Sequence, residues 1–473
     1  MAIFTTSFIV FFACIFYSGC VGGYADEMAE MKHVEMFYET VTVSSLLPAD
    51  SCTRSATYEE GKTSLELVHR FGPCFKDNMA KDSFPSHGEI LDLDQARVHS
   101  IRSQSSSDLR ANKATTIPAS SGLLVGSGNY IVNMRVGTPP KNQTVIFDTG
   151  SDLTWIQCEP CVSCYQQQAP IFDPSKSTSY SSISCLSDVC QSLYPITGFE
   201  PYCLSDDACV YEIQYGDSST SQGIFSTETL RLTQNDVAYN YMFGCGENNE
   251  GLFTGISGLM GLGRNAVSFV SQTANKYGKF FSYCIPSTES STGYLSFGKP
   301  STGTKPIAYT QLLSYSRAPS FYFISLQAII VGGTKLSIPA SVFSTSGTII
   351  DSGTVITRLP PTAYTALAKE YAKQMSKYPR APAFSILSVC FDLSGYEKVT
   401  VPIVTLVFLG NVKVNLGAVG TLYVISASQV CLAFAGNSGT TDVGILGNTQ
   451  QRTLSVRYDV NGGKLGFVPG GCN

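Results

Sequence analysis

The sequence predicts an all-β body of two similar lobes behind a leader, and three observations carry that prediction. Short apolar runs separated by Gly, Ser, Pro and Asn turns repeat from about Gly122 onward, while long helical patterns are scarce. An acidic turn also occurs twice, as VIFDTGSDLTW at 145–155 and as TIIDSGT at 348–354. From average composition, two such D-[S/T]-G-[S/T] turns arise together by chance about once in a few thousand chains of this length.

Taken in order, residues 1–25 carry a short apolar run, IFTTSFIVFFACIFY, followed by small residues. Its length suits a signal peptide better than a membrane span, and cleavage is expected after Ala25. Residues 26–114 mix charges and end in the polar stretch HSIRSQSSSDLRANKATT, which reads as the exposed, cuttable end of a prosegment. Strand signals follow in YIVNMRVG, TVIFDTG, YEIQYGD and YMFGCG. The best helical pattern is PPTAYTALAKEYAKQMSKYP, with Tyr364, Leu367, Tyr371 and Met375 at helical spacing, Pro361 in the first turn and Pro379 as the stop. Each half also repeats an apolar pair ending in glycine: GLMGLG reaches Gly261 after Asp148, and GILGN reaches Gly447 after Asp351. The expected lobes are 115–311 and 312–473, each lending one carboxylate to a shared cleft.

Composition narrows the chemistry. Of 36 acidic and 31 basic residues, 15 and 10 precede Thr115, so the body is neutral and has no basic stripe for nucleic acid. All four histidines, His33, His69, His87 and His99, lie in the front segment. Ser-His-Asp and Cys-His catalysis and His-containing metal sites are thereby excluded from the body. No phosphate-binding G-x-x-x-x-G-K-[S/T] loop occurs, and no cofactor or metal is implied. Sixteen cysteines, twelve of them in the body and seven between Cys158 and Cys209, fit an oxidising compartment. The pairing is left open by the sequence itself. CEPCVSC could also be a zinc knuckle, though disulfides suit a secreted chain better.

If Asp148 and Asp351 meet, they cannot both ionise cheaply, and the pair shares one proton. The charged oxygen can then take a proton from water while the acid donates to a substrate carbonyl. Gly150 and Gly353 allow close backbone approach. Thr149 and Ser352 could bond across the junction, and Ser151 and Thr354 are placed to donate to the outer carboxylate oxygens.

These residues resemble the pepsin-like aspartic endopeptidases, in particular the plant nepenthesin-like branch. The resemblance rests on FDTGSDLTW, YGDSS, GLMGLGR, IDSGT and GILGN, and runs from about Gly122 to Cys472. SLELVHRFGPCF and LDLDQARVHSI are likewise similar to the prosegment of plant secreted members. The resemblance implies a bilobal pepsin-like fold with a central cleft, with Asp148 and Asp351 as the dyad. It implies a hairpin flap carrying Tyr215, Gly216 and Asp217, with the Trp155 indole supporting Tyr215. Ser218 stands where relatives often carry Gly. The Cys-rich segment 158–209 looks like the nepenthesin-type insertion. By similarity the pairs would be Cys158–Cys161, Cys164–Cys245, Cys185–Cys209, Cys190–Cys203, Cys284–Cys472 and Cys390–Cys431.

The resulting expectation is a monomeric aspartic endopeptidase, made as a zymogen, acting on polypeptides in acid. It would be secreted to the apoplast rather than sent to the vacuole or chloroplast, without a membrane anchor and without nucleic acid as partner. Asn142 in Asn-Gln-Thr is a glycosylation sequon. Two other readings are a binding or inhibitor-type member of the same fold and a chloroplast nucleoid DNA-binding protease. Activation is expected to follow acid weakening of the prosegment's ionic hold, with cutting between about Arg110 and Gly122.

Overall fold

In a computed structural model of the chain, the residues described are 37–54, 63–75, 85–105, 130–215, 219–251, 253–299, 307–316 and 318–472. The segment expected to be a signal peptide, residues 106–129 where activation cutting is expected, and Gly216–Ser218 at the expected flap tip lie outside them.

The alternating runs fold as strands where they were expected. YIVNMRV forms Tyr130–Val136, the acidic turn ends Lys141–Asp148, and two long strands, Thr220–Arg231 and Val237–Glu250, pair antiparallel beside Cys209–Gln214. They belong to a fifteen-stranded sheet that also takes in the C-terminal strands Leu454–Asp459 and Lys464–Pro469, the former hydrogen-bonded to Phe280–Cys284. The chain's last strands thus complete a sheet begun by its first half, and the Cys284–Cys472 disulfide closes that return. The second half builds three further sheets, of five, four and four strands. The expected helix forms as Pro361–Gln374, burying Ala363, Leu367 and Tyr371, with Met375 buried at its end.

The β architecture is as expected, and the front segment adds to it the longest described helix, His87–Ser105. The described part of the front segment, residues 26–114, is woven into the body. Tyr38–Thr42 pairs with Lys398–Pro402, and Thr63–His69 lies between Gly293–Phe297 and Tyr130–Val136 in the large sheet. Its helix buries Ile90 and Leu91 against Val355, Ile356 and Leu387, and Val98 and Ile101 against Phe321, Phe323, Ile349, Val443 and Ile445. Each such aliphatic side chain contributes about 1.5–3 kcal/mol when fully buried.

The disulfides correct four of the six expected pairs. Cys158 joins Cys245 rather than Cys161, and Cys161 joins Cys164, which was assigned to Cys245. Cys185 joins Cys203, and Cys190 joins Cys209, the reverse of the expectation. The reason is strand placement. Cys158 N–H donates to Gly246 O, which brings Cys158 beside Cys245, while Cys203 and Cys209 face one another across a two-residue ladder. Cys284–Cys472 and Cys390–Cys431 form as expected, and Cys52–Cys74 joins two parts of the front segment.

Candidate active site

Each acidic turn sits at the end of a strand whose parallel neighbour carries the repeated apolar-Gly motif. Gly258–Gly261 runs parallel to Val145–Asp148, and Gly444–Leu446 runs parallel to Thr348–Ile350. Leu262 N–H donates to Asp148 O, and Asp351 N–H donates to Leu446 O. The internal repeat is thus the scaffold that holds each carboxylate's backbone.

The two turns meet. Thr149 N–H donates to Ser352 Oγ (3.1 Å), and Ser352 N–H donates to Thr149 Oγ1 (2.9 Å), tying the loops reciprocally. Gly150 N–H donates to Asp148 Oδ1 (3.0 Å) and Gly353 N–H to Asp351 Oδ1 (3.2 Å). A Cβ at Gly150 would fall 2.6 Å from Asp351 Oδ1, and one at Gly353 would fall 2.7 Å from Asp148 Oδ1. Both glycines are therefore required by the opposite carboxylate. Thr354 Oγ1 donates to Asp351 Oδ2 at 2.5 Å. The matching bond from Ser151 is not made. Ser151 Oγ and Asp148 Oδ2 are both buried without a hydrogen-bond partner among the described residues, although the hydroxyl is close enough to favour the carboxylate.

Trp155 is fully buried, and its Nε1–H donates to Tyr215 Oη at 2.7 Å. Phe253 packs edge-on against both rings. The indole thus holds the Tyr215 phenol, the contact that the resemblance implied. Gly216 and Asp217, the other flap residues singled out, lie outside the described residues. Asn142 is exposed near the start of its strand.

Sequence reasoning missed the residue that fills the site. Arg97, on the helix His87–Ser105, places its guanidinium between the two aspartates. Nη2 donates to Asp148 Oδ1 (2.6 Å) and to Asp351 Oδ1 (2.9 Å), and Nε donates to Asp351 Oδ2 (2.8 Å). One nitrogen reaches both carboxyl groups, so the pair is within bridging distance of a single small group. Burial and the Asp351 charge raise the Asp148 pKa against the pull of Arg97. Asp351 is driven up by burial too, but the charge and hydrogen bonds of Arg97 outweigh that and hold it below the ordinary range. With Arg97 bound, the two acids are thus shifted in opposite directions.

Two further helix residues anchor Arg97. Asp94 accepts from Val355 N–H (2.6 Å) and Ile356 N–H (3.1 Å) and pairs with Arg358 (3.0 Å). Arg102 Nη2 donates to Asn437 Oδ1 (2.6 Å), with Nη1 3.5 Å from Asp442. The spacing Leu93, Arg97, Ile101 was the available signal: a cation at i, i+4, i+8 along an apolar helical stripe. Among the described residues there is no group of three His, Cys, Asp or Glu able to hold a metal, and no helix is long and apolar enough to cross a membrane.

Comparison with known proteins agrees with this geometry. Family profiles described as Xylanase inhibitor N-terminal and Xylanase inhibitor C-terminal match residues 130–299 and 321–469. An aspartyl protease family protein of Arabidopsis thaliana is 50% identical over 98% of both chains, and the Arabidopsis aspartyl protease AED1 is 42% identical over 98% of both. Aspartic proteinase nepenthesin-2 of Nepenthes gracilis is 40% identical over 73% of this chain and 78% of its own. Among solved structures, basic 7S globulin from soybean superposes with a TM-score of 0.58 at 19% identity, over 72% of this chain and 91% of its own, a likeness of fold.

Proposed function

Because the chain belongs to the plant atypical aspartic protease family of the nepenthesin-like type, we propose that it is a secreted aspartic endopeptidase made as an acid-activated zymogen. The observation that supports this reading is the single guanidinium of Arg97 bonded to both Asp148 and Asp351. A prosegment with that contact would block a dyad; a body without a working dyad has no use for it.

Once Arg97 leaves, a water bridging the two carboxyl groups takes its place. The ionised aspartate accepts a proton from that water as its oxygen attacks the scissile carbonyl, and the protonated one donates to the carbonyl oxygen. The tetrahedral diol then collapses with proton transfer to the leaving amine. Water supplies the nucleophile throughout, so no acyl-enzyme forms. Gly150 and Gly353 N–H bonds and the Thr149–Ser352 grip hold the acids in place through both proton transfers. Matured protein incubated in acid with a denatured protein is expected to cleave it, and pepstatin to stop the cleavage. Intact substrate after incubation with correctly matured protein would favour the binding-module reading instead.

The histidines excluded from catalysis support the acid trigger. His69, on the buried prosegment strand, faces Glu289 at 3.7 Å, packs edge-on against Tyr130, and has Arg70, Arg452 and His87 nearby. His87 bonds Tyr423 Oη at 3.0 Å. Burial holds both imidazoles below their usual range against the pull of Glu289. Docked, they take up protons only at lower pH than in the released segment, where they do so near pH ~6.5. Docking is therefore unaffected above that pH and weakens as pH falls below it towards the lowered values. Replacing both by asparagine is expected to move the midpoint of acid processing down by about half a pH unit or more. An unchanged midpoint in the purified double variant would remove the histidines from the trigger.

A further inference from the structure

Resting on the protease reading above, we infer that the mature cleft contains a carboxylate-binding subsite formed by Arg358 with the backbone N–H groups of Val355 and Ile356, and that it selects substrates carrying an acidic side chain near the scissile bond. In the precursor this site is already occupied by a carboxylate, that of Asp94. Its oxygens accept from Val355 N–H at 2.6 Å and Ile356 N–H at 3.1 Å, and Arg358 Nη2 lies 3.0 Å away. Gln95, also on the prosegment helix, accepts from the same Nη2 at 3.3 Å.

The ownership of these groups is what points to substrate. The donors belong to the body, on the chain just after Asp351, whereas both acceptors belong to the segment that activation removes. Arg358 is fully buried, and among the described residues Asp94 is its only ion-pair partner. Its bond within the body, Nη1 to Ile356 O at 2.7 Å, is to a neutral carbonyl. Release of the helix thus leaves a cation in a low-dielectric wall of the cleft with two N–H donors aimed at the same point, and a buried charge without its partner is strongly unfavourable. A carboxylate in the substrate restores all three contacts, and charge-assisted bonds of this kind are the stronger class. An amide of the same shape supplies an acceptor but no charge.

The test uses full-length precursor matured in acid. Peptide pairs with Asp or Asn at each of the positions flanking one cleavage site are assayed at a pH where the free Asp side chain is ionised. At one position wild-type enzyme is expected to prefer Asp over Asn by about tenfold in kcat/KM. Arg358→Leu should bring that ratio close to one, and Arg358→Lys should retain part of it. Loss of turnover on both peptides alike, with the ratio kept, would mark a merely structural role. Equal cleavage of Asp and Asn peptides at every position by wild-type enzyme overturns the subsite and leaves the protease reading standing. Cleavage of no peptide by the wild type would count against that reading itself.

Discussion

Replacing Arg97 by glutamine is expected to open the precursor. In the native chain three charge-assisted bonds from Arg97 close over the two aspartates, with the guanidinium side chain only 12% exposed. Removing one partner of a buried ion pair typically costs about 3–5 kcal/mol. Here the two carboxyl groups can share a proton once Arg97 is gone, so the lower figure applies. That corresponds to about a hundredfold weaker hold on the cleft by the helix. The unprocessed Arg97→Gln chain should accordingly bind pepstatin about a hundredfold more tightly than the unprocessed native chain, and should process at higher pH. The sign follows from Asp351, whose pKa Arg97 holds down. The docking stability it contributes is present above the ordinary carboxylate range and is lost as pH falls through the lowered value. Removing Arg97 removes that requirement for strong acid. Equal pepstatin affinity and equal processing pH in the two precursors would mean that the apolar contacts of Ile90, Leu91, Val98 and Ile101 hold the helix, with Arg97 incidental.

The second large effect is expected from Asp148→Asn or Asp351→Asn. Asparagine keeps the acceptor for the N–H of Gly150 or Gly353 and leaves the Thr149–Ser352 bonds untouched, so the thermal midpoint of the matured protein should change little. It removes the group that exchanges a proton with water, and kcat should fall by about ten-thousandfold. The same variants report on activation. A purified Asp148→Asn precursor that matured in acid as fast as the native chain would exclude self-processing. One that matured only when active enzyme was added would place the cut in trans. Substantial peptidase activity in both variants would remove the dyad from the mechanism.

Much of this was legible in the sequence because it is written locally. A β-strand announces itself by two-residue alternation and an acidic turn by four residues, so Asp148, Asp351, their glycines and their hydroxyl neighbours could be named directly. Their meeting could be argued from the internal repeat, since two copies of one turn followed by one apolar-Gly pair have few arrangements other than a shared axis. The helix at Pro361–Gln374 was equally plain, being amphipathic and bounded by proline. Even the absence of histidine from the body was informative, through the catalytic classes it removed.

What the sequence could not determine was every choice between near-equal partners far apart in the chain. Cys185 and Cys190 could each reach Cys203 or Cys209, which lie opposite one another, and only the folded chain joins Cys185 to Cys203 and Cys190 to Cys209. Arg97 is one of ten cations in the front segment, and its place between Leu93 and Ile101 on an apolar stripe marks a cation on a buried helix face without saying what that face meets. Only the packed fold sets its guanidinium 51 residues from one aspartate and 254 from the other while within 2.9 Å of both. Arg358 and Asp94 tell the same story, since a buried charge is tolerable only where its partner is delivered. Sequence determines which local elements form, because backbone sterics and side-chain periodicity act over a few residues. Which charges face which is settled by desolvation and distance, and those exist only once the chain has closed on itself.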